Sequence, residues 1–107
     1  MNIIKLLYRK VNEMDKEIIR EKIYALLGEM GFEKTFINGI GLYSYAECYY
    51  KITYIERYSS YVIEYASNYD EAVKNVFWDG DWYPISLGDA LFDKLRYDLA
   101  NFYMHKN

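Results

Sequence analysis

Three blocks of patterning predict an α+β domain: an N-terminal helix, an antiparallel meander of three to four strands, and two C-terminal helices packed on one face of the sheet. The first block, Asn2 to Met30, repeats apolar residues every three or four positions, the period of an amphipathic helix. The second, from Phe32 to Ala66, alternates, and the third returns to helical spacing after Asn68. At 107 residues the chain holds one core, so residues 1–107 form a single domain.

In the first helix the stripe runs through Ile3, Ile4, Leu7, Val11 and Met14, then Ile18, Ile19, Ile23, Leu26, Leu27 and Met30. Asn12 or Asp15 suits a helix cap, so a break near Met14 is expected, and Gly31 stands where a C-terminal glycine belongs. Thr35 to Ile37 and Leu42 to Tyr45 favour strands, punctuated by Gly39 and Gly41. Glu47 to Glu56 is the strongest strand, with Cys48, Tyr50, Ile52 and Tyr54 on one face. The polar turn Arg57 to Ser60 joins it to Tyr61–Ala66 as a hairpin. Asn68 then caps a helix, with Glu71 three residues on as its reciprocal partner, and Gly80 is expected to end it. Pro84 forbids an immediate restart. The last helix is expected from Ser86, capped with Asp89, and buries Leu91, Leu95, Leu99 and Phe102, with Tyr103 at the edge.

Composition limits the function classes. A 52% hydrophobic and 20% aromatic content excludes a disordered tail, and the single cysteine excludes an internal disulfide framework. Met1 to Leu7 is too short and too charged for a signal peptide's apolar core, and no run reaches membrane-spanning length, so a cytoplasmic location without membrane contact is expected. The net charge of −3 is unevenly spread: Glu64 to Asn107 holds eight acidic and four basic residues. Nucleic acid is a poor partner for that half, because binding it requires phosphate neutralisation, whereas a basic protein suits it.

No catalytic constellation stands out, so an enzyme is not expected. His105 is the sole histidine and sits near the C-terminus, where a base is poorly held. Cys48 lies mid-strand and reads as a small buried apolar group. Asp79-Gly80-Asp81 lacks the further oxygen ligands and closing glutamate of a calcium loop, and there is no zinc cluster or phosphate-binding glycine loop. No cofactor or metal is therefore expected.

The positive signal is aromatic. Alternating tyrosines, of which the chain has fourteen, cover a half-buried sheet in part. The turn-like stretch Trp78, Asp79, Asp81, Trp82 and Tyr83, with Asp70 and Glu71 at the preceding helix start, has the make-up of a binding anchor with a charged rim. The competing reading packs both tryptophans inward as a plug for the helix end.

A tyrosine-rich hairpin leading into E-Y-A-S-N-Y-D-E-A-V-K-N, then D-G-D-W-Y-P and a closing helix, resembles the small α+β immunity proteins of bacterial polymorphic toxin systems, in particular the immunity protein 59 family. The likeness covers Ile52 to Tyr103. It implies a cytoplasmic protein that binds and neutralises a cognate toxin by stoichiometric contact. If that toxin has a basic cleft, Asp70, Glu71, Asp79 and Asp81 are placed to steer association. The alternative from another class is a small ligand-binding module with an aromatic pocket between sheet and helices. A third, a small enzyme using carboxylates and tyrosines, needs two buried acids in one cleft.

Overall fold

The computed structural model describes the backbone of residues 3–104 and the side chains of residues 15–104. Helix α1 (Ile3–Glu29) is followed by strands β1 (Glu33–Ile37), β2 (Ile40–Tyr45), β3 (Cys48–Ile55) and β4 (Ser60–Ala66), the short helix α2 (Tyr69–Val73), strand β5 (Trp78–Pro84) and helix α3 (Ala90–Asp98). The fold is α+β, with all five strands antiparallel in the order β1-β2-β3-β4-β5. No described helix is long and apolar enough to cross a membrane.

Helix α1 runs without the break expected near Met14. It ends in a Schellman arrangement, in which Gly31 N–H reaches Gly28 C=O at 3.1 Å and Phe32 N–H reaches Leu27 C=O at 2.9 Å. Gly31 takes φ +99°, which only glycine adopts freely, and Phe32 turns directly into the core. Ile37 pairs with Ile40 across Asn38-Gly39, both left-handed, as a two-residue hairpin with the strand twist demands. Tyr45 pairs with Cys48 across Ala46-Glu47, which adopt the same left-handed pair without glycine.

Asn68 caps α2 as expected: its side-chain oxygen accepts Glu71 N–H at 2.9 Å, and the Glu71 carboxylate accepts Ser67 N–H at 2.7 Å. The helix is shorter than its apolar spacing suggested. Asn75 at φ +58° takes the left-handed C-terminal position, with Val76 N–H on Glu71 C=O and Asn75 N–H on Ala72 C=O, so Gly80 is not the stop. The Asn38 amide donates to Val73 C=O at 3.1 Å and ties this helix end to the first hairpin.

Trp78–Pro84, expected as a turn, is instead the fifth strand, at the sheet edge. Its pairing with β4 contains a bulge: Ile63 alone lies between Val62 and Glu64, while Gly80 and Asp81 lie between their partners Trp82 and Asp79. The last helix starts at Ala90 after a 3₁₀ turn over Ile85–Leu87, and no side-chain cap from Ser86 or Asp89 forms. Its end widens into a π turn over Leu99–Tyr103, closed by Met104 N–H on Leu99 C=O at 2.8 Å. The extra residue turns Tyr103 inward and leaves Phe102 exposed, the reverse of the expected placement.

The main core joins Ile23 and Leu27 of α1, Leu91 and Leu95 of α3 and Leu99 of the π turn to Tyr50, Tyr61, Ile63 and Tyr83 on one sheet face. The two C-terminal helices do not share that face. Ala72 of α2 packs with Ile37, Leu42 and Ala66, which point to the other side, because a five-residue helix can cover only one corner of the sheet. Three core tyrosines pin sheet to helix through their hydroxyls. Tyr61 donates to Lys16 C=O at 2.6 Å, Tyr50 to Tyr103 C=O at 2.9 Å, and Tyr83 to the Asp98 carboxylate at 2.8 Å.

Candidate partner-binding surface

The bulge decides what β5 displays. In a regular strand Trp78 and Trp82, four apart, would share a face. Here Trp82 and Asp79 register with Val62 and Glu64, while Trp78 and Tyr83 register with Tyr65 and Tyr61, so the two indoles lie on opposite faces. Both are solvent-exposed, Trp78 at 53% and Trp82 at 41%, and neither is an inward plug. The expected single aromatic patch is thus divided by one inserted residue.

The remaining residues of the stretch separate likewise. Tyr83, read in the sequence as part of the anchor, is 2% exposed and belongs to the core. Its hydroxyl bonds Asp98, which also receives Lys94 Nζ at 3.0 Å, and the same ammonium stands 4.2 Å from the Tyr83 ring centre. Burial, reinforced by Asp98, pushes the Tyr83 phenol well above its ordinary pKa. Asp81 is half-buried: Tyr103 Oη donates to its carboxylate at 3.1 Å and accepts its backbone N–H at 3.1 Å. Asp79 is exposed. Asp70 is exposed at the first turn of α2, and Glu71 is committed to the cap. These two lie with α2 over the face that carries Asp79 and Trp82, not with Trp78.

A cleft of about 510 Å³ opens between β5 and the π turn, lined by Tyr50, Tyr65, Asp79, Gly80, Asp81, Phe102 and Tyr103. The floor is possible because residue 80 has no side chain. A β-carbon there would strike the Tyr103 hydroxyl and sit 2.8 Å from the Ile63 carbonyl oxygen. Tyr50 and Tyr103 meet edge to face with ring centres 5.8 Å apart, and Tyr65 and Tyr103 at 6.3 Å. Phe102 at the rim is 60% exposed and pairs edge to face with Tyr97, itself 62% exposed. Trp78 registers opposite Tyr65 on this face, whereas the Asp79 side chain, in register with Glu64, leaves to the other, so of the two carboxylates only Asp81 stands with these rings.

On the other face Trp82 stacks edge to face with Tyr58, ring centres 5.1 Å apart. A second, larger cleft of about 690 Å³ lies between α1 and the turn after β3, with Tyr54, Tyr58, Phe92, Lys16 and Lys22 among its walls. Lys16 is engaged there by Glu56 at 3.6 Å and by the Tyr54 ring. Sequence reasoning missed Tyr58, Tyr65, Tyr97 and Phe102 as surface or cleft residues. Their neighbours depend on the β4–β5 pairing and the π turn, neither of which leaves a periodic trace. Among the described residues, no three of His, Cys, Asp and Glu stand together as a metal-binding group. Cys48 is buried, its thiol donating to Ser67 C=O at 3.4 Å.

No family model matches the chain, and neither the curated proteins nor the solved structures yield a match.

Proposed function

We propose that this chain is a cytoplasmic immunity protein that binds a cognate bacterial toxin in a stoichiometric complex and neutralises it. The observation that carries this reading is the edge of the sheet around Trp78. Exposed Trp78 emerges on the same face as Tyr65, which lines a cleft with Asp81 and the exposed Phe102, itself paired with Tyr97, and the strand is fixed by pairing and by the Tyr103 hydroxyl. Exposed rings held on rigid elements give contact area at little entropic cost, and the Asp81 carboxylate beside them, with the acidic excess of this half of the chain, favours a basic partner. Asp70 and Glu71, on the far face, are assigned to steering at most.

The test is co-expression with the product of the neighbouring reading frame. Wild-type chain should restore growth and co-purify with that product at 1:1. Trp78→Ala should weaken the complex by about 2 kcal/mol, the loss typical of an interfacial tryptophan. Trp82→Ala, on the opposite face, should change it by less than about 1 kcal/mol. Absence of rescue by the wild type would sink the reading; equal loss for both variants would mean that the partner wraps the strand edge.

The larger cleft favours a second reading, a ligand-binding module, because its volume and its tyrosine and phenylalanine walls suit a small molecule. Fluorescence titration of Trp82, which stacks on the cleft residue Tyr58, separates the two. A saturable response to a metabolite extract freed of protein would support the module, and none would leave the immunity reading.

A further inference from the structure

We propose that the open edge of the sheet, β1, is where a second copy of this chain pairs, strand against antiparallel strand, so that two molecules share one continuous sheet. The surface around Trp78 lies on β5, at the other end of the strand order, so this inference goes beyond the partner-binding reading and does not depend on it.

The two edges are built differently. An unprotected edge is a template for another strand, and proteins blunt it with proline, bulges or a covering group. Strand β5 has all three: Pro84 offers no N–H, the bulge at Gly80-Asp81 breaks the register, and Asp81 N–H is bonded to Tyr103 Oη at 3.1 Å. Strand β1 has none of them. Lys34, a residue type that often guards an edge, instead lies over the sheet face, its ammonium 5.1 Å from the Tyr24 ring centre and 5.3 Å from that of Tyr43. The register shows which backbone groups are free. In a two-residue hairpin the closing pair exchanges both of its bonds, so Ile37 is bonded to Ile40, and by alternation Thr35 to Leu42 and Glu33 to Ser44. Lys34 and Phe36 therefore turn their N–H and C=O groups away from β2, and among the described residues nothing else bonds them. The approach is open, since Glu33 and Lys34 are exposed and Phe36 is 67% exposed. Both ends of the strand are already fixed, by Phe32 N–H on Leu27 C=O at 2.9 Å and by the Asn38 amide on Val73 C=O at 3.1 Å, so pairing orders little chain.

The same edge selects its own copy. Pairing Lys34 with Lys34 of the second copy would set ammonium beside ammonium and call on Phe32 N–H, which is committed to α1. Pairing Phe36 with Phe36 would oppose Lys34 to Asn38, which sits in the left-handed turn. The remaining register places Lys34 against Phe36 of the second copy, twice over by symmetry, with Thr35 facing Thr35 on the two-fold axis. It satisfies the outward groups of both residues and sets each ammonium beside a ring, as Lys34 and Phe36 already stand at 5.7 Å within one chain. It also joins two threonines, a favourable cross-strand pair. A strand of five residues makes a small contact, so the dimer is reversible.

The experiment is sedimentation equilibrium of the full chain over a range of concentrations, beside mild oxidation of cysteine variants; the native Cys48 is buried. The wild type should pass from the mass of one chain to that of two. Phe36→Pro removes an N–H that β2 does not use, so circular dichroism should be unchanged while the dissociation constant rises about thirtyfold, a donor being lost from each side of the interface. Thr35→Cys should form a disulfide between copies, because opposed residues of a non-bonded pair stand about 4.5 Å apart at Cα. Phe36→Cys, offset by two positions from its own copy, should not. The mass of one chain at every concentration up to about 1 mM, where even a weak interface fills, overturns the proposal and leaves the edge to a strand of another protein. Dimerisation unaltered by a folded Phe36→Pro places the interface elsewhere and overturns it too, as does crosslinking of Thr35→Cys no greater than that of Phe36→Cys. If Phe36→Pro fails to fold, the two cysteine variants decide.

Discussion

Tyr83 shows how a residue selected for its surface chemistry can serve the interior. Its ring sits in the main core and its hydroxyl, with Lys94, satisfies a carboxylate at Asp98 that is 7% exposed. Tyr83→Phe keeps the ring and removes the donor, so Asp98 retains only the partly exposed ammonium. The expected loss is about 1–3 kcal/mol, the cost of under-satisfying a buried polar group, read from the midpoint of urea unfolding. A midpoint equal to that of the wild type would show that Asp98 is served by solvent. Trp78→Ala should by contrast shift the same midpoint by no more than about 0.5 kcal/mol, since the indole is half exposed. That contrast separates a surface residue from a packing one, and sequence could not supply it. Trp78 and Tyr83 are equally aromatic, equally close to aspartates and emerge on the same face; what distinguishes them is that α3 covers Tyr83 with Asp98 and Lys94, while Trp78, at the other end of the strand, stays exposed.

At the level of elements, the places where the sequence could be read are those where a local rule acts alone. The α1 stop at Gly31, the Asn68–Glu71 cap and the alternation of β3 each depend on residues within a turn of one another, and each stands as expected. Strand β5 was illegible because Gly80, two aspartates and Pro84 are turn formers by propensity, and only pairing with β4 makes them a strand. The bulge absorbs the glycine. Gly80→Ala therefore tests the element directly: its methyl group meets the Ile63 carbonyl at 2.8 Å, and the fold should lose roughly 1–3 kcal/mol as an overpacked site does. Thermal unfolding at wild-type temperature would mean that the two strands part easily there. The Ala46-Glu47 hairpin points the other way. Both residues hold left-handed angles, φ +50° and +71°, that cost an L-residue other than glycine or asparagine about 1 kcal/mol each. Replacing the pair by Asn-Gly, the sequence already present at Asn38-Gly39, should raise stability by about 1 kcal/mol. A lower melting temperature would imply that Ala46 or Glu47 makes a contact worth more than the strain.

For the molecule as a whole, the tyrosine-rich core makes stability depend on alkaline pH. Burial is the largest cause raising the phenols of Tyr50, Tyr61, Tyr83 and Tyr103 above their ordinary value, and Tyr61, although partly offset by Arg20, is pushed up to about 12. In the unfolded chain the same groups ionise at about pH 10. The folded pKa is the higher one, so the folded state holds protons that the unfolded state releases. The stabilising contribution is therefore complete below about pH 10 and is lost as pH rises toward the folded values. With four such groups the loss approaches roughly 5 kcal/mol per pH unit, against a total stability of about 5–15 kcal/mol for a domain of this kind. Unfolding should consequently set in between about pH 11 and 12. The hydroxyl bonds that fasten sheet to helix require the protonated phenol as donor, so sheet and helices should separate in the same step. Tyrosinate absorbance followed beside far-ultraviolet circular dichroism checks this. A cooperative rise in tyrosinate absorbance should coincide with the loss of helicity. Ionisation of Tyr50, Tyr61, Tyr83 and Tyr103 while the dichroism is unchanged would show that the core phenols are open to solvent and that the sheet is held to α1 and α3 by apolar packing alone.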